Sequence, residues 1–469
     1  MTSHDFDLLV LGGGSAGFAA AIKGAELGAR VALVEGATIG GTCVNVGCIP
    51  SKTLLRAAEA NHQRKHHGFA GIPATDGRLD WEAVRAQKDA LVAALRQAKY
   101  LDVLRSYEPI DLFRDHGVLA ADRSVRLAGG TILRAGKVVV ATGSAPWAPP
   151  IPGLAEAGYL DNASAMALER LPVSLAVIGG STVGLELAQM FSRLGTRVTV
   201  LEAQRRILPA EDPAIGEALG GFLRSEGLGI HTGIELDRVD REGDGYTVAF
   251  REGSDLRLLQ AEQVLVATGR RANTAGYGLE AVGVALGRKG EIVVNDYLET
   301  PSAGVYAAGD VLGDPMFVYV AAYGGTVAAE NALTDNRRRY DLAAVPRVTF
   351  TDPAAASVGL SENEARKAGM EPAVAHLPME HVPRAQVSRD TRGFVRLVAG
   401  GPSQAVIGAQ ILGAEAGEMI AEAALAIRHR LTVADLAGAF HPYLTWSEGL
   451  KLAAQSFTRE VSTLSCCAG

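Results

Sequence analysis

Cysteine is scarce in this chain. Its 469 residues include only four, Cys43, Cys48, Cys466 and Cys467, far too few for a disulfide-stapled scaffold. Long apolar runs are absent too: none approaches the ~18 residues of a membrane span. The N-terminus, Met1-Thr-Ser-His-Asp-Phe-Asp, has no basic stretch leading into an apolar one. It does not read as a secretory signal, so a cytoplasmic protein is expected. Positive charge is not in excess, with 45 Lys and Arg against 52 Asp and Glu and a net charge of −7. With no basic stripe, nucleic acid is not an expected partner.

What remains describes a globular protein. Hydrophobic residues make up 48% and charged residues 21%, enough for an ordinary core, and the length suggests about three domains. The four cysteines fall into two tight pairs. In a reducing compartment a close pair means catalysis or metal binding more often than a structural bridge.

Periodicity gives the organisation. Leu8-Leu9-Val10-Leu11 reads as a strand, a glycine cluster follows, an Ala-rich helix runs from Ser15 to about Leu27, and Arg30-Val31-Ala32-Leu33-Val34 is a second strand ending at Glu35. This is a βαβ unit. It recurs at Leu175-Ala176-Val177-Ile178, Gly179 to Gly184, an Ala/Leu-rich helix, and Arg197 to Glu202. In both copies the acidic residue lies 23 positions after the first glycine, from Gly12 to Glu35 and from Gly179 to Glu202. Val139-Val140-Ala141-Thr142-Gly143 and Val266-Ala267-Thr268-Gly269 are shorter echoes. The expected fold is α/β, with two Rossmann-like dinucleotide-binding domains and a C-terminal α+β domain. The first dinucleotide domain is expected over 1–150 and 276–343, and the second over 151–275, after a Pro-rich connection. The third is expected over 344–469, where Gly393 to Val398 reads as a strand and Glu418 to Ile427 as a helix.

Gly12-x-Gly14-x-x-Gly17 follows a strand and opens a helix. Such glycines permit a tight turn, close approach of backbone to a pyrophosphate, and close packing of helix on strand. The helix N-terminus then faces the phosphates, and Glu35 is placed to accept from ribose hydroxyls. The second copy has Ser181 at its middle position. There Glu202 favours a free 2′-hydroxyl, as in NADH, whereas Arg205 and Arg206 offer charge for a 2′-phosphate.

The most informative stretch is Cys43-Val-Asn-Val-Gly-Cys48, followed by Ile49-Pro50-Ser51-Lys52. Two thiols five positions apart can close a small disulfide on entering a helix, whose N-terminus favours a thiolate. A zinc site needs about four ligands, and no histidine lies between Gly36 and Asn61. Gly40 to Lys52 resembles the active-site signature of the FAD-dependent pyridine nucleotide–disulfide oxidoreductases, a group that includes lipoamide dehydrogenases, glutathione reductases and mercuric reductases. Thr300-Pro-x-x-Gly-Val-Tyr-Ala-Ala-Gly-Asp310 resembles its second FAD segment, and Phe350-Thr-Asp-Pro353 the opening of its dimerisation domain. The resemblance covers nearly the whole chain. It implies FAD held by Gly12, Gly14, Ser15, Gly17, Glu35, Gly41, Thr42, Lys52, Thr142, Gly143 and Asp310. It implies a nicotinamide donor at Gly179, Gly184, Glu202 and Gly269. Cys48 matches the thiol beside the flavin and Cys43 the outer, exchanging thiol. Lys52 matches the lysine near the flavin N5, with Glu186 as its ion-pair partner.

Within the group, the chain's end resembles the mercuric reductase branch. Disulfide reductases carry His-Pro-x-x-x-Glu near the C-terminus. Here His441-Pro442-Tyr443-Leu444-Thr445-Trp446 puts Trp446 where the glutamate belongs, and Glu448 falls two residues late. His441 is therefore expected to lack an orienting carboxylate. It also departs from the mercuric reductases, which have an apolar residue there. Pro442 to Thr445, Glu448 to Ala454, Ala98-Lys99-Tyr100 and the Cys466-Cys467-Ala-Gly ending all match that branch. The resemblance implies reduction of Hg(II) by NADPH, with NADH possible. It implies Tyr100 and Tyr443 at the metal site, and Cys466 and Cys467 as a tail pair that captures Hg(II) from thiol complexes. It implies a homodimer with active sites shared between subunits. Soft thiolates suit a soft metal. A lipoamide dehydrogenase-like reductase of an organic disulfide is the alternative. The N-terminal metallochaperone domain often found in the branch is not in this sequence.

Overall fold

The computed structural model describes residues 5–75 and 77–463. Contacts divide the chain into two units. The first comprises the chain up to Thr53, Ala83–Ala148 and Gly269–Asp341; the second comprises Leu54–Glu82, Pro149–Thr268 and the chain from Leu342.

The first unit is built on a parallel five-stranded sheet, in the order Val305–Ala307, Ala135–Val140, Phe6–Leu11, Val31–Val34, Ile110–Phe113. Its strands are mostly apolar, and Leu8 to Leu11, Val31 to Val34 and Val138 to Val140 are buried on both faces. Along the Phe6–Leu11 strand, Leu8 and Val10 enter one core with Ala20, Ala21, Val327 and Ala328, while Phe6, Leu9 and Leu11 enter another with Leu119, Val125 and Leu127. The Ser15–Glu26 and Val318–Thr334 helices pack so closely that a Cβ on Gly325 would lie 2.0 Å from the Ala16 carbonyl oxygen.

The second unit holds a parallel four-stranded sheet, Gly229–Thr232, Arg197–Glu202, Ser174–Ile178, Gln263–Val266, with the Thr182–Arg193 helix against it. An antiparallel ribbon of three strands spans residues 234–261. The C-terminal part is an antiparallel five-stranded sheet, in the order Arg347–Thr349, Ala354–Gly359, Ala405–Gly413, Phe394–Gly400, Ala373–Pro378. The helices Ala416–Arg428 and Glu448–Gln455 bury Met419, Ile420, Ala423, Leu450 and Leu452 against it. The strand and helix expected here at Gly393 to Val398 and Glu418 to Ile427 are both present, each slightly longer or shifted.

A buried ion network joins the two parts of this unit. Arg193 reaches Glu226 through Nη2 at 2.6 Å and Asp352 through Nη1 at 2.8 Å. Arg392 adds bonds to Asp352 at 2.7 Å and Asp390 at 2.8 Å. Burial pushes the Asp352 carboxyl up, but Arg193 and Arg392 outweigh it and hold the group below the usual carboxylate range.

Candidate functional site

The first glycine loop forms because only glycine fits. Gly12 has a φ of +102°, and a Cβ there would lie 2.3 Å from the Ala141 carbonyl oxygen. A Cβ on Gly17 would lie 1.7 Å from the Gly12 oxygen. Gly14 caps the Ser15–Glu26 helix with no side-chain bond, which leaves its first amides facing outward. Glu35 turns back to this loop. One carboxylate oxygen accepts from the Gly13 N–H at 2.6 Å and the other from the Ala37 N–H at 2.7 Å.

The cysteine segment packs directly on this loop. A Cβ on Gly41 would stand 2.6 Å from the Gly14 Cα. Cys43 lies in the short Gly41–Val46 helix and Cys48 opens the Cys48–Gln63 helix, with Lys52 one turn later. Asn45 holds the intervening backbone by donating to the Ile39 and Gly41 carbonyls at 3.0 and 2.9 Å, and accepts from Arg96 at 3.1 Å. The cysteines are a half-buried dithiol. The side-chain hydrogen bond to Cys48 raises the pKa of Cys43 above that of an ordinary thiol. Burial and negative charge on Cys48 add to the rise, against the pull of Lys52. Burial and the contact with Cys48 thus favour the protonated thiol at Cys43.

Tyr100 belongs to the same site. It sits in a π-helical turn, Gln97–Leu101, that ends the long Trp81–Arg96 helix. Such turns redirect side chains and recur at functional sites. Its ring lies 4.6 Å from that of Phe18. Burial raises its phenol pKa, and electrostatic interaction with the Cys43 and Cys48 thiols adds to this, against a hydrogen bond with Ser15. Asp310 accepts from the Ser144 hydroxyl at 2.7 Å, and Arg270 donates to that same hydroxyl at 2.7 Å. Thr142 donates to the Asn273 carbonyl at 2.7 Å, beside Gly143 at φ +71°.

In the second unit the other glycine loop repeats the first. Gly179 has φ +111°, and a Cβ on Gly184 would lie 2.0 Å from the Gly179 oxygen. Glu202 accepts from the Gly180 N–H at 2.6 Å and the Gln204 N–H at 2.7 Å. Arg206 donates to the Pro209 and Glu211 carbonyls at 3.0 and 3.3 Å, while Arg205 is exposed. Gly269, which belongs to the first unit, has φ +119°. Glu186, 3% exposed, accepts from the Phe350 N–H at 2.9 Å.

Tyr443 is 62% exposed, between the Val433–Gly438 and Glu448–Gln455 helices. Cys466 and Cys467 lie outside the described residues. One expectation is corrected here: His441 does have a carboxylate partner. Its Nε2 lies 2.7 Å from Glu422 of the Ala416–Arg428 helix. Spacing downstream of His441 could not reveal a partner 19 residues upstream. The sequence reading also missed His116 and Tyr277, whose rings are 5.0 Å apart near Glu35. The negative charge of Glu35 acts on Tyr277, and a Cβ on neighbouring Gly36 would approach His116 to 3.3 Å. Among the described residues no cluster of three or more His, Cys, Asp or Glu is placed to hold a resident metal ion, and no helix is long and apolar enough to cross a membrane.

Two glycine-gated nucleotide loops, with a dithiol packed on the first, define a class. The chain belongs to the pyridine nucleotide-disulphide oxidoreductase family, whose model matches residues 6–325, and carries the family's dimerisation domain over residues 345–454. It is 44% identical to the mercuric reductase of Staphylococcus aureus, over 99% of this chain and 85% of that one. It is 45% identical to the mercuric reductase of Streptomyces lividans, over 99% and 98%. Among solved structures it resembles the HOCl-induced flavoprotein disulfide reductase RclA from Escherichia coli, with a TM-score of 0.85 and 30% identity over 95% of this chain and 98% of that one. It also resembles LpdA from Mycobacterium tuberculosis, with a TM-score of 0.87 and 28% identity over 97% and 100%.

Proposed function

We propose that this chain is a cytoplasmic, NAD(P)H-dependent flavoenzyme that reduces Hg(II) to Hg(0): NAD(P)H + Hg(II) → NAD(P)⁺ + H⁺ + Hg(0). The observation that carries the reading is the half-buried Cys43/Cys48 dithiol packed on a dinucleotide loop. The relatives named mercuric reductase, matched over nearly the full chain, support the choice of metal.

Both glycine loops fit nucleotide cofactors: each is a tight turn that only glycine permits, and each opens a helix whose N-terminus has no side-chain cap. FAD is assigned to Gly12, Gly14, Ser15, Gly17, Glu35, Gly41, Thr42, Thr142, Gly143 and Asp310, and the nicotinamide donor to Gly179, Gly184 and Glu202. When bound, they supply a two-electron path from donor to dithiol. Lys52 contributes a cation beside that path, which stabilises negative charge as it develops.

The dithiol handles the metal by ligand exchange. Cys43, the outer thiol, attacks a complex RS–Hg–SR and passes its proton to the departing thiolate, which leaves as RSH. Cys48, as thiolate, then forms the second Hg–S bond and expels RS⁻. The sum is RS–Hg–SR + Cys48–S⁻ + Cys43–SH → Cys48–S–Hg–S–Cys43 + RS⁻ + RSH, with no bare ion at any step. Tyr100, and Tyr443 from the C-terminal part, are assigned to orienting the metal. Cys466 and Cys467 are assigned to first capture, in a homodimer where each tail serves the other subunit.

The test is Hg(II)-dependent oxidation of NADPH with excess small thiol, read together with release of elemental mercury. No Hg(II)-stimulated turnover, with active reduction of lipoamide or glutathione disulfide instead, would overturn the reading. A Cu(II) arm belongs in the same assay, because the Escherichia coli relative was solved in a Cu(II) complex.

A further inference from the structure

His441 stands where the family's disulfide reductases place a proton carrier, so its surroundings decide what it can do. Its side chain is 4% exposed. Nε2 meets the Glu422 carboxylate at 2.7 Å and Nδ1 faces the Ala439 carbonyl at 3.3 Å. Both ring nitrogens therefore point at acceptors. A neutral imidazole has one N–H and satisfies one of them; an imidazolium has two and satisfies both. The ring is thus held between two acceptors on different segments.

The neighbours in sequence point the other way. Phe440 is fully exposed, Pro442 is exposed and Tyr443 is 62% exposed. His441 is thus the buried anchor of an otherwise outward-facing stretch. The Thr445 hydroxyl tightens the same stretch by donating to the Pro442 carbonyl at 2.7 Å.

We propose that His441 is a positioning residue: bridging the Glu422 carboxylate and the Ala439 carbonyl, it pins the 439–445 stretch to the Ala416–Arg428 helix and so sets the place of Tyr443. The part that concerns Tyr443 rests on the metal-site reading given above. Three other charged groups complete the surroundings. The Glu422 hydrogen bond is the main cause that raises the His441 pKa, against burial and against Lys451. Glu448 is buried, and burial raises its carboxyl pKa, while the positive charges of Lys451 and His441 pull it down. A histidine whose folded pKa is raised stabilises the fold most below its unfolded value, about 6.5. That contribution fades as pH rises through the higher folded value.

The test uses the FAD-loaded dimer labelled with 15N-histidine, with His441 assigned by the His441→Asn variant. At pH 7 both ring nitrogens of His441 should show the shift of protonated nitrogen. In Glu422→Gln one of them should move to the neutral range. A neutral His441 in the wild type, or a signal unchanged in Glu422→Gln, overturns the pair. The kinetic arm is a double-mutant cycle. His441→Asn should lower kcat/KM for Hg(II) by roughly tenfold, in line with loss of a charge-assisted bond, and leave flavin reduction by NADPH unchanged. In a Tyr443→Phe background the same change should have little further effect, since coupled residues are not additive. Full additivity overturns the link to Tyr443. A wild type that ignores Hg(II) refutes the function reading, and the NMR result still decides the role of His441.

Discussion

Gly17→Ala and Gly184→Ala are matched perturbations of the two nucleotide loops. A new Cβ at Gly17 would lie 1.7 Å from the Gly12 carbonyl oxygen, and one at Gly184 would lie 2.0 Å from the Gly179 oxygen. Cβ atoms essentially never approach closer than 3.0 Å, so the strand–helix junctions must open by at least 1.3 Å (3.0 − 1.7) and 1.0 Å (3.0 − 2.0). The obstructing atoms are backbone, so no rotamer change relieves them. Overpacking of this kind costs about 1–3 kcal/mol, which in units of this size lowers Tm by roughly 2–4 °C per kcal/mol. The larger effect is on ligands, because the displaced helix carries the loop amides away from a phosphate. Gly17→Ala should purify with much less than one FAD per chain, read from the flavin absorbance. Gly184→Ala should keep its FAD and raise KM for NADPH. Gly221 lies inside the Pro213–Ser225 helix, and a Cβ there would meet nothing within 4 Å. Gly221→Ala is therefore the control, and should be neutral or stabilising by up to ~1 kcal/mol. Full FAD and an unchanged Tm in Gly17→Ala would refute the cradle argument.

Three further outcomes follow from the geometry. Cys43→Ser should show a long-wavelength thiolate–flavin absorbance without reductant, and Cys48→Ser should lack it under partial reduction; the reverse pattern would swap the two thiols' roles. Glu202→Ala should impair NADH and NADPH together, because it strips the acceptor from two loop amides, whereas Arg205→Ala should weaken NADPH alone; kcat/KM for both donors decides, and a selective gain for NADPH in Glu202→Ala would contradict this. Arg193→Met should lower Tm by several degrees, since removing one partner of a buried ion pair costs about 3–5 kcal/mol and Arg392 compensates only in part. The Asp352 contribution to stability is present above the unfolded carboxylate pKa and fades as pH falls through the lower folded value, so the wild-type and variant Tm should converge in acid.

The βαβ units were legible because their signals are local. An apolar run, a glycine turn, an Ala-rich helix and a second run all lie close together in the chain, and strand burial on both faces leaves no alternation to confuse the reading. The cysteine motif was legible for the same reason. What escaped the sequence depends on distant segments. Glu422 meets His441 from another helix, across a turn and a further short helix. The π-helical turn at Gln97–Leu101 has no composition that sets it apart from the helix it ends, yet it carries Tyr100. The Asn45–Arg96 bond spans 51 residues. Contacts also group Leu54–Glu82 with the second unit, which strand and helix periodicity cannot foresee.

The two acidic residues show where a motif can be right about place and incomplete about role. Spacing puts Glu35 and Glu202 at the ends of equivalent strands, as a ribose-binding carboxylate requires. The geometry adds a first duty that is the same in both loops: one oxygen accepts from the amide of the second loop glycine at 2.6 Å, the other from the amide two residues on at 2.7 Å. These bonds hold the turn in shape. A carboxylate oxygen has lone pairs to spare, so ribose recognition is compatible with that duty. But a group needed to shape the loop is needed for either donor, and its presence does not by itself select NADH. Of the three charged side chains in this part of the second loop, Glu202 is committed to amides and Arg206 to carbonyls. Arg205 is the exposed one, and the Arg205→Ala comparison of the two donors tests whether discrimination between a hydroxyl and a phosphate on the ribose falls to it.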